Sequence, residues 1–101
     1  MIELINILGV TYQIKFLDDL IERENLYGEI DYTNQIIRID KNMKKDRKSR
    51  TLIHEIMHGI MESLGYSEIN CDEEKVQNIS NALYLVLENN PKLLSLFLGL
   101  S

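Results

Sequence analysis

The two histidines of the chain, His54 and His58, are four positions apart, and Glu55 directly follows the first. In an α-helix, residues four apart lie on the same face, so both imidazoles can direct a nitrogen at one metal ion. Zinc accepts such ligands and keeps one position open for water in catalytic sites. A carboxylate beside that position can deprotonate the water. The pattern predicts a helix with His54 and His58 as zinc ligands and Glu55 as catalytic base.

The residues around this HExxH motif have the apolar period of a helix. The predicted helix begins near Asp46, and Gly65 is a typical C-terminal cap. Apolar side chains fill most of one side, at Leu52, Ile53, Ile56, Met57, Ile60, Met61 and Leu64. Because the motif lies on a segment with independent helical signals, metal binding is favoured over two half-buried histidines satisfied by backbone groups.

A third zinc ligand is expected from a second predicted helix. Asp72 is its candidate N-cap, and the apolar period continues to Asn89-Asn90. At about 100° per residue, Glu73 lies on the apolar side of this helix, whereas Glu74 turns toward polar residues. For Asp72 and Glu74, interaction with the helix dipole is the favoured role. Glu73 is therefore the predicted third ligand, and Glu74 remains the alternative.

The first half of the chain has the composition of β-strands. Residues 4–16 predict a first strand, since apolar and polar side chains alternate in its second part. Residues 28–32 and 36–40 predict a hairpin around a turn at Asn34. Residues 18–25 predict a short helix or an ordered loop.

The order of these elements predicts an α+β fold. Pro91 suits the first turn of a terminal helix over residues 92–98. The expected architecture is a small antiparallel sheet of about three strands packed on two to three helices. The whole chain, residues 1–101, is interpreted as one domain.

Composition narrows the function classes. No apolar run approaches the roughly 20 residues of a membrane span, and residues 1–10 lack the features of a signal peptide, so a cytoplasmic location without membrane partners is expected. The net charge of -5 argues against direct nucleic-acid binding. Cys71 is the single cysteine and is interpreted as a free thiol.

One basic cluster departs from the acidic composition, at Lys41, Lys44, Lys45, Arg47, Lys48 and Arg50. The favoured interpretation of this cluster is a solvated loop and first helical turn rather than a docking patch.

Four tyrosines are candidates for stabilising an oxyanion, namely Tyr27, Tyr32, Tyr66 and Tyr84. None of them is selected, because tyrosines more often serve as packing residues.

A family resemblance is carried by residues 27–32, 36–40, 51–58, 73–76 and 81–84. Together these segments resemble small phage-type members of the ImmA/IrrE-like metallopeptidases, over nearly the whole chain. The resemblance implies a minimal zincin-like domain in which two histidines and one downstream glutamate bind Zn²⁺. It also implies hydrolysis of a peptide bond in a protein substrate, such as a repressor or other regulatory protein of a phage or mobile element. By the same analogy, the substrate is expected to lie extended along an edge strand.

Two other functions are compatible with the sequence. The first is a phage-type interaction protein that uses a zinc site for folding or docking and cleaves nothing, since small domains often need a metal for stability. Glu55 favours catalysis over this alternative, because a structural site needs no base. The second is a metal-free structural domain, which chelation would leave unchanged.

Overall fold

A computed structural model describes residues 3–99, which form four strands and five helices. In chain order they are β1 (Glu3–Ile7), β2 (Val10–Leu17), α1 (Leu20–Glu24), β3 (Gly28–Asp31), β4 (Ile36–Asp40), α2 (Lys45–Leu64), α3 (Ser67–Asn70), α4 (Glu73–Asn89) and α5 (Leu93–Phe97). Met1 and Ile2, part of the segment assessed for a signal peptide, lie outside this range, as do residues 100–101. No helix within residues 3–99 is long and apolar enough to cross a membrane.

The predicted α+β class is confirmed, and the sheet has more strands than expected. Its strand order is β1-β2-β4-β3. The outer pairs are antiparallel and include the predicted β3–β4 hairpin, whereas β2 and β4 pair in parallel at the centre. The sheet is therefore mixed rather than purely antiparallel. β3 lies at one edge of the sheet and contacts α2.

The predicted first strand, residues 4–16, is divided into β1 and β2 by a tight turn. Leu8 and Gly9 have φ angles of 50° and 93°, as both central positions of a type I′ turn require. The side-chain oxygen of Asn6 accepts a hydrogen bond from the Gly9 N–H at 2.9 Å. Gly9 suits such a turn, but a bulky residue such as Leu8 rarely has positive φ, and the turn was not predicted.

The helix predictions of the second half are confirmed in position. α2 ends at Gly65, which has φ of 76° and caps the helix. α4 is capped by Asp72, whose side chain accepts a hydrogen bond from the Lys75 N–H. The short helix α3 lies between them and was not predicted. α2 packs on the sheet, and α4 packs on α2.

Two glycines let α2 approach the sheet closely. A Cβ at Gly59 of α2 would lie 2.8 Å from Ile7 Cδ1. A Cβ at Gly28 of β3 would lie 2.7 Å from Thr51 Cγ2 and 3.1 Å from the carbonyl oxygen of Arg38. The contacts with Ile7 and Thr51 would be closer than Cβ atoms normally come, so a larger side chain at either position would push the helix and the sheet apart.

Asp40 connects the end of β4 to the start of α1. Its side chain accepts hydrogen bonds from the N–H groups of Ile21 at 2.9 Å and Asn42 at 2.8 Å. Asp40 is 2% exposed, and these two backbone donors hold the pKa of its carboxyl group below the usual value. The carboxylate therefore takes the place of a side-chain N-cap for α1, which Asp19 does not provide.

We predict that Asp40→Asn lowers the melting temperature at pH 7. A carboxyl whose pKa is lower in the folded state stabilises the fold above the unfolded-state pKa, about 4 for Asp, and this contribution is lost as pH falls through the folded-state pKa. The difference between wild type and variant should therefore shrink below about pH 4. Thermal unfolding of both proteins from about pH 3 to about pH 7, which spans the unfolded-state pKa of Asp, measures this difference. A difference in melting temperature that stayed constant over this range would contradict the prediction.

We also predict that Gly28→Ala destabilises the protein by about 1–3 kcal/mol, because the added methyl group overpacks the contact with Thr51. Urea unfolding measures the change. Thr51→Ser removes the clashing methyl group, so the double variant should be more stable than the sum of the two single changes implies. A Gly28→Ala variant at least as stable as wild type would refute the close packing.

Candidate metal centre

His54 and His58 converge on the same point from successive turns of α2. Their Nε2 atoms are 3.1 Å apart, and the rings meet edge to face. Two nitrogens bound tetrahedrally to one zinc ion at 2.0–2.1 Å would be about 3.4 Å apart. The observed spacing therefore fits two ligands of a single ion.

Glu73, the first residue of α4, completes the cluster. Its Oε1 lies 2.8 Å from His58 Nε2, and its Oε2 lies 3.2 Å from His54 Nε2. The donor atoms of the three residues are all within 4.8 Å of one another, which makes them a possible metal site. Within residues 3–99, Glu74 is not part of this group. The Glu73 side chain is 69% exposed, so it faces the histidines from the open side of the cleft.

The hydrogen bonds of His58 indicate which of its ring nitrogens is free to bind a cation. His58 Nδ1 lies 2.6 Å from the side-chain oxygen of Asn70, which can only accept a hydrogen bond. In the neutral ring the proton is therefore on Nδ1, and Nε2 directs a lone pair toward the Glu73 carboxylate. Lone pairs and negative charge at this distance repel unless a metal ion or a proton lies between them.

Asn70 is itself held by a second hydrogen bond. Its Nδ2 donates to the Tyr32 hydroxyl at 3.0 Å, and that hydroxyl donates to the backbone oxygen of His58 at 3.4 Å. These contacts set which end of the amide faces His58. Metal-binding histidines commonly donate their other N–H to such an acceptor, which orients the ring. Sequence reasoning missed Asn70, and it considered Tyr32 only as one of four tyrosines.

His54 is oriented differently. Its Nδ1 is buried and has no hydrogen-bond partner within residues 3–99, as is also true of the side-chain oxygen of Asn81. Burial, followed by the proximity of His58, lowers the pKa of His54 and so favours the neutral ring. A neutral imidazole is the form that binds a metal ion.

Glu55 lies beside the cluster at the bottom of the cleft. The residue is only 7% exposed. Burial is the main cause that raises the pKa of its carboxyl group to about 7, and the negative charges of Glu73 and Glu29 raise it further. A carboxyl group with a pKa near neutrality can both accept and return a proton. Its environment is therefore suited to a general base.

The cluster borders an open cleft of about 1140 Å³ between β3, α2, α3 and α4. Gly28, Glu29 and Ile30 of the edge strand β3 form part of its wall. Of the four tyrosines considered for an oxyanion, only Tyr27 and Tyr32 line this cleft. The geometry selects neither of them as an oxyanion donor, since the Tyr32 hydroxyl already donates its hydrogen bond to the backbone oxygen of His58.

Comparison with known proteins supports the family resemblance. The model of the IrrE N-terminal-like domain, Peptidase_M78, matches residues 12–88. This segment runs from β2 into α4 and includes His54, Glu55, His58 and Glu73. Comparison with curated proteins and with solved structures finds no significant match. The chain therefore belongs to the IrrE N-terminal-like domain family of peptidases, Peptidase_M78.

Proposed function

We propose that the protein is a zinc-dependent peptidase that hydrolyses a peptide bond of a protein or peptide substrate. The observation that carries this proposal is the convergence of His54, His58 and Glu73 within 4.8 Å, in a cleft that Glu55 also lines. A structural metal site would account for the three ligands but not for a buried carboxyl group beside them. Membership of a peptidase family supports the same conclusion.

In this proposal, His54, His58 and Glu73 hold the zinc ion. Two imidazole nitrogens and one carboxylate form a ligand set typical of catalytic zinc, and the cleft leaves room for water and substrate. A bound zinc ion would lower the pKa of a bound water to about 7 and polarise a carbonyl oxygen. Asn70 keeps His58 in the tautomer with a free Nε2, and Tyr32 keeps Asn70 in place.

Glu55 is the proposed base. Its carboxylate accepts one proton from the attacking water, as a new C–O bond forms at the peptide carbonyl carbon. It then returns that proton to the amide nitrogen, so that the C–N bond breaks and a neutral amine leaves. Burial favours the protonated form that Glu55 would have between the two steps, because it disfavours the charged form.

The proposed substrate path follows β3. One edge of this strand pairs with β4, and residues of the strand line the cleft. An extended peptide can add to such an edge through backbone hydrogen bonds. The substrate class that we propose is a repressor or other regulatory protein of a phage or mobile element, following the family resemblance.

We predict that Glu55→Gln lowers the rate of cleavage by about 100- to 10,000-fold, because the amide cannot accept the proton. Cleavage of a synthetic peptide library under zinc-replete conditions, followed by mass spectrometry, measures this. Glu68→Gln provides the control, since Glu68 is an exposed residue outside the cleft. If neither wild type nor Glu55→Gln cuts any peptide, and both bind a partner equally, the non-catalytic interaction protein is the better account.

We predict that Glu73→Gln weakens zinc binding by about tenfold or more, the scale at which lost metal-site partners act. Glu74→Gln is the matched control and should bind zinc as wild type does, because Glu74 is outside the cluster. Competition with a chromophoric chelator gives both affinities. If the Glu74 variant lost zinc and the Glu73 variant kept it, the ligand assignment would be wrong.

A further inference from the structure

A row of polar residues on α2 gives the two ends of the cleft opposite charges. Arg50, His54, His58 and Glu62 recur every four residues, and all four line the cleft. Residues at this spacing form a row along one side of a helix, with about 6 Å between neighbours. The metal cluster therefore lies between a basic end and an acidic end.

Arg47 adds a second cation at the basic end. Arg47 and Arg50 are the members of the basic cluster that line the cleft, whereas Lys45, for example, does not. The sequence-based interpretation of a solvated helical turn therefore does not describe these two arginines fully.

Each guanidinium group lies against a tyrosine ring, one at the wall of the cleft and one on the neighbouring helix α4. Arg47 Cζ lies 5.1 Å from the centre of the Tyr27 ring, next to β3, and Arg50 Cζ lies 4.9 Å from the centre of the Tyr84 ring on α4. Stacking on a ring orients the planar group and leaves its N–H donors at the edges available. This is an arrangement suited to binding a carboxylate.

The two arginines lack the ion pairs that occupy another arginine of the protein. Arg38 contacts carboxylate oxygens of Glu24 at 2.8 Å and Glu29 at 2.7 Å. No ion pair within 4.0 Å involves Arg47 or Arg50 among residues 3–99, although Asp46 also lines this end of the cleft. Two oriented cations in a substrate cleft thus have unused hydrogen-bond donors.

We propose that Arg47 and Arg50 bind an acidic side chain of the peptide substrate, two or three residues from the scissile bond. Along the axis of α2, Arg50 is about 6 Å and Arg47 about 10.5 Å from His54. An extended peptide advances about 3.3 Å per residue, which gives two to three residues over this distance. The inference rests on the proposed function, since it assumes that the bond is cut at the His54–His58–Glu73 cluster.

The direction of β3 determines on which side of the scissile bond the acidic residue lies. Tyr27, before β3, contacts Arg47 near the start of α2, and Ile30 of β3 lies near Gly59 farther along the helix. A peptide paired antiparallel to β3 would therefore run toward the arginines in its N-to-C direction. The acidic residue is expected on the C-terminal side, while the charge of Glu62 disfavours acidic residues on the N-terminal side.

A mixed-sequence synthetic peptide library tests the proposal. Zinc-loaded wild type should cleave peptides with Asp or Glu at the second or third position after the cut about tenfold or more faster than peptides with Asn or Gln there. In the double variant Arg47→Gln/Arg50→Gln, the ratio of the two cleavage rates should fall to about one, because the site no longer distinguishes an acidic side chain from its amide. Lys45→Gln removes the same kind of charge outside the cleft and should keep the preference.

A binding arm separates this proposal from the proposed function. The same library is passed over immobilised, zinc-loaded Glu55→Gln protein, and retained peptides should be enriched in acidic over amide residues unless both arginines are replaced. If wild type cleaves nothing but the arginine-dependent enrichment occurs, the peptidase proposal fails, and Arg47 and Arg50 stand as a binding site for acidic peptides without a defined distance to a scissile bond. If wild type cleaves without acidic preference, or the double variant keeps the preference, the arginine proposal is overturned and the peptidase proposal stands.

Discussion

Two imidazole nitrogens and a carboxylate converge where α4 begins, and a cation bound between them would attract all three. His54 and His58 belong to α2 and Glu73 belongs to α4, so a metal ion bound by all three would join the two helices. α4 also packs on α2 and α3, and Val76 and Ser80 are its buried residues. Metal binding and the position of α4 should therefore depend on each other. The cleft lies between α4 and β3, so its width depends on where α4 packs.

The close contact between α2 and the sheet contributes to the surroundings of Glu55. Gly28 and Gly59 bring the helix near β3 and β1, and this proximity buries Glu55 beside the histidines. Burial then raises the pKa of Glu55 toward neutrality. On the other side of the cluster, α3 places Asn70 against His58. The sheet therefore contributes to the environment of the proposed base, and α3 contributes to the orientation of the proposed ligand His58.

Local sequence patterns identified the candidate site residues whose positions depend on a single helix. The four-residue spacing of the histidines and the helical phase of Glu73 are properties of one element each, and the structure brings these three residues together. Contacts between distant segments had no such signal. Asn70 and Tyr32 are 38 residues apart, and nothing in either segment indicates their hydrogen bond. The parallel pairing of β2 with β4 depends on tertiary packing. The turn that separates β1 from β2 has an unusual residue, Leu8, at a position with positive φ.

The account depends most directly on where the metal ion binds. Zinc-edge X-ray absorption and anomalous diffraction from crystals of the zinc-loaded protein would measure this. We predict one ion with two imidazole nitrogens, from His54 and His58, and a carboxylate oxygen from Glu73, with Glu55 nearby but not a ligand. An ion bound elsewhere, or a fully closed coordination sphere that includes Glu55, would contradict the account.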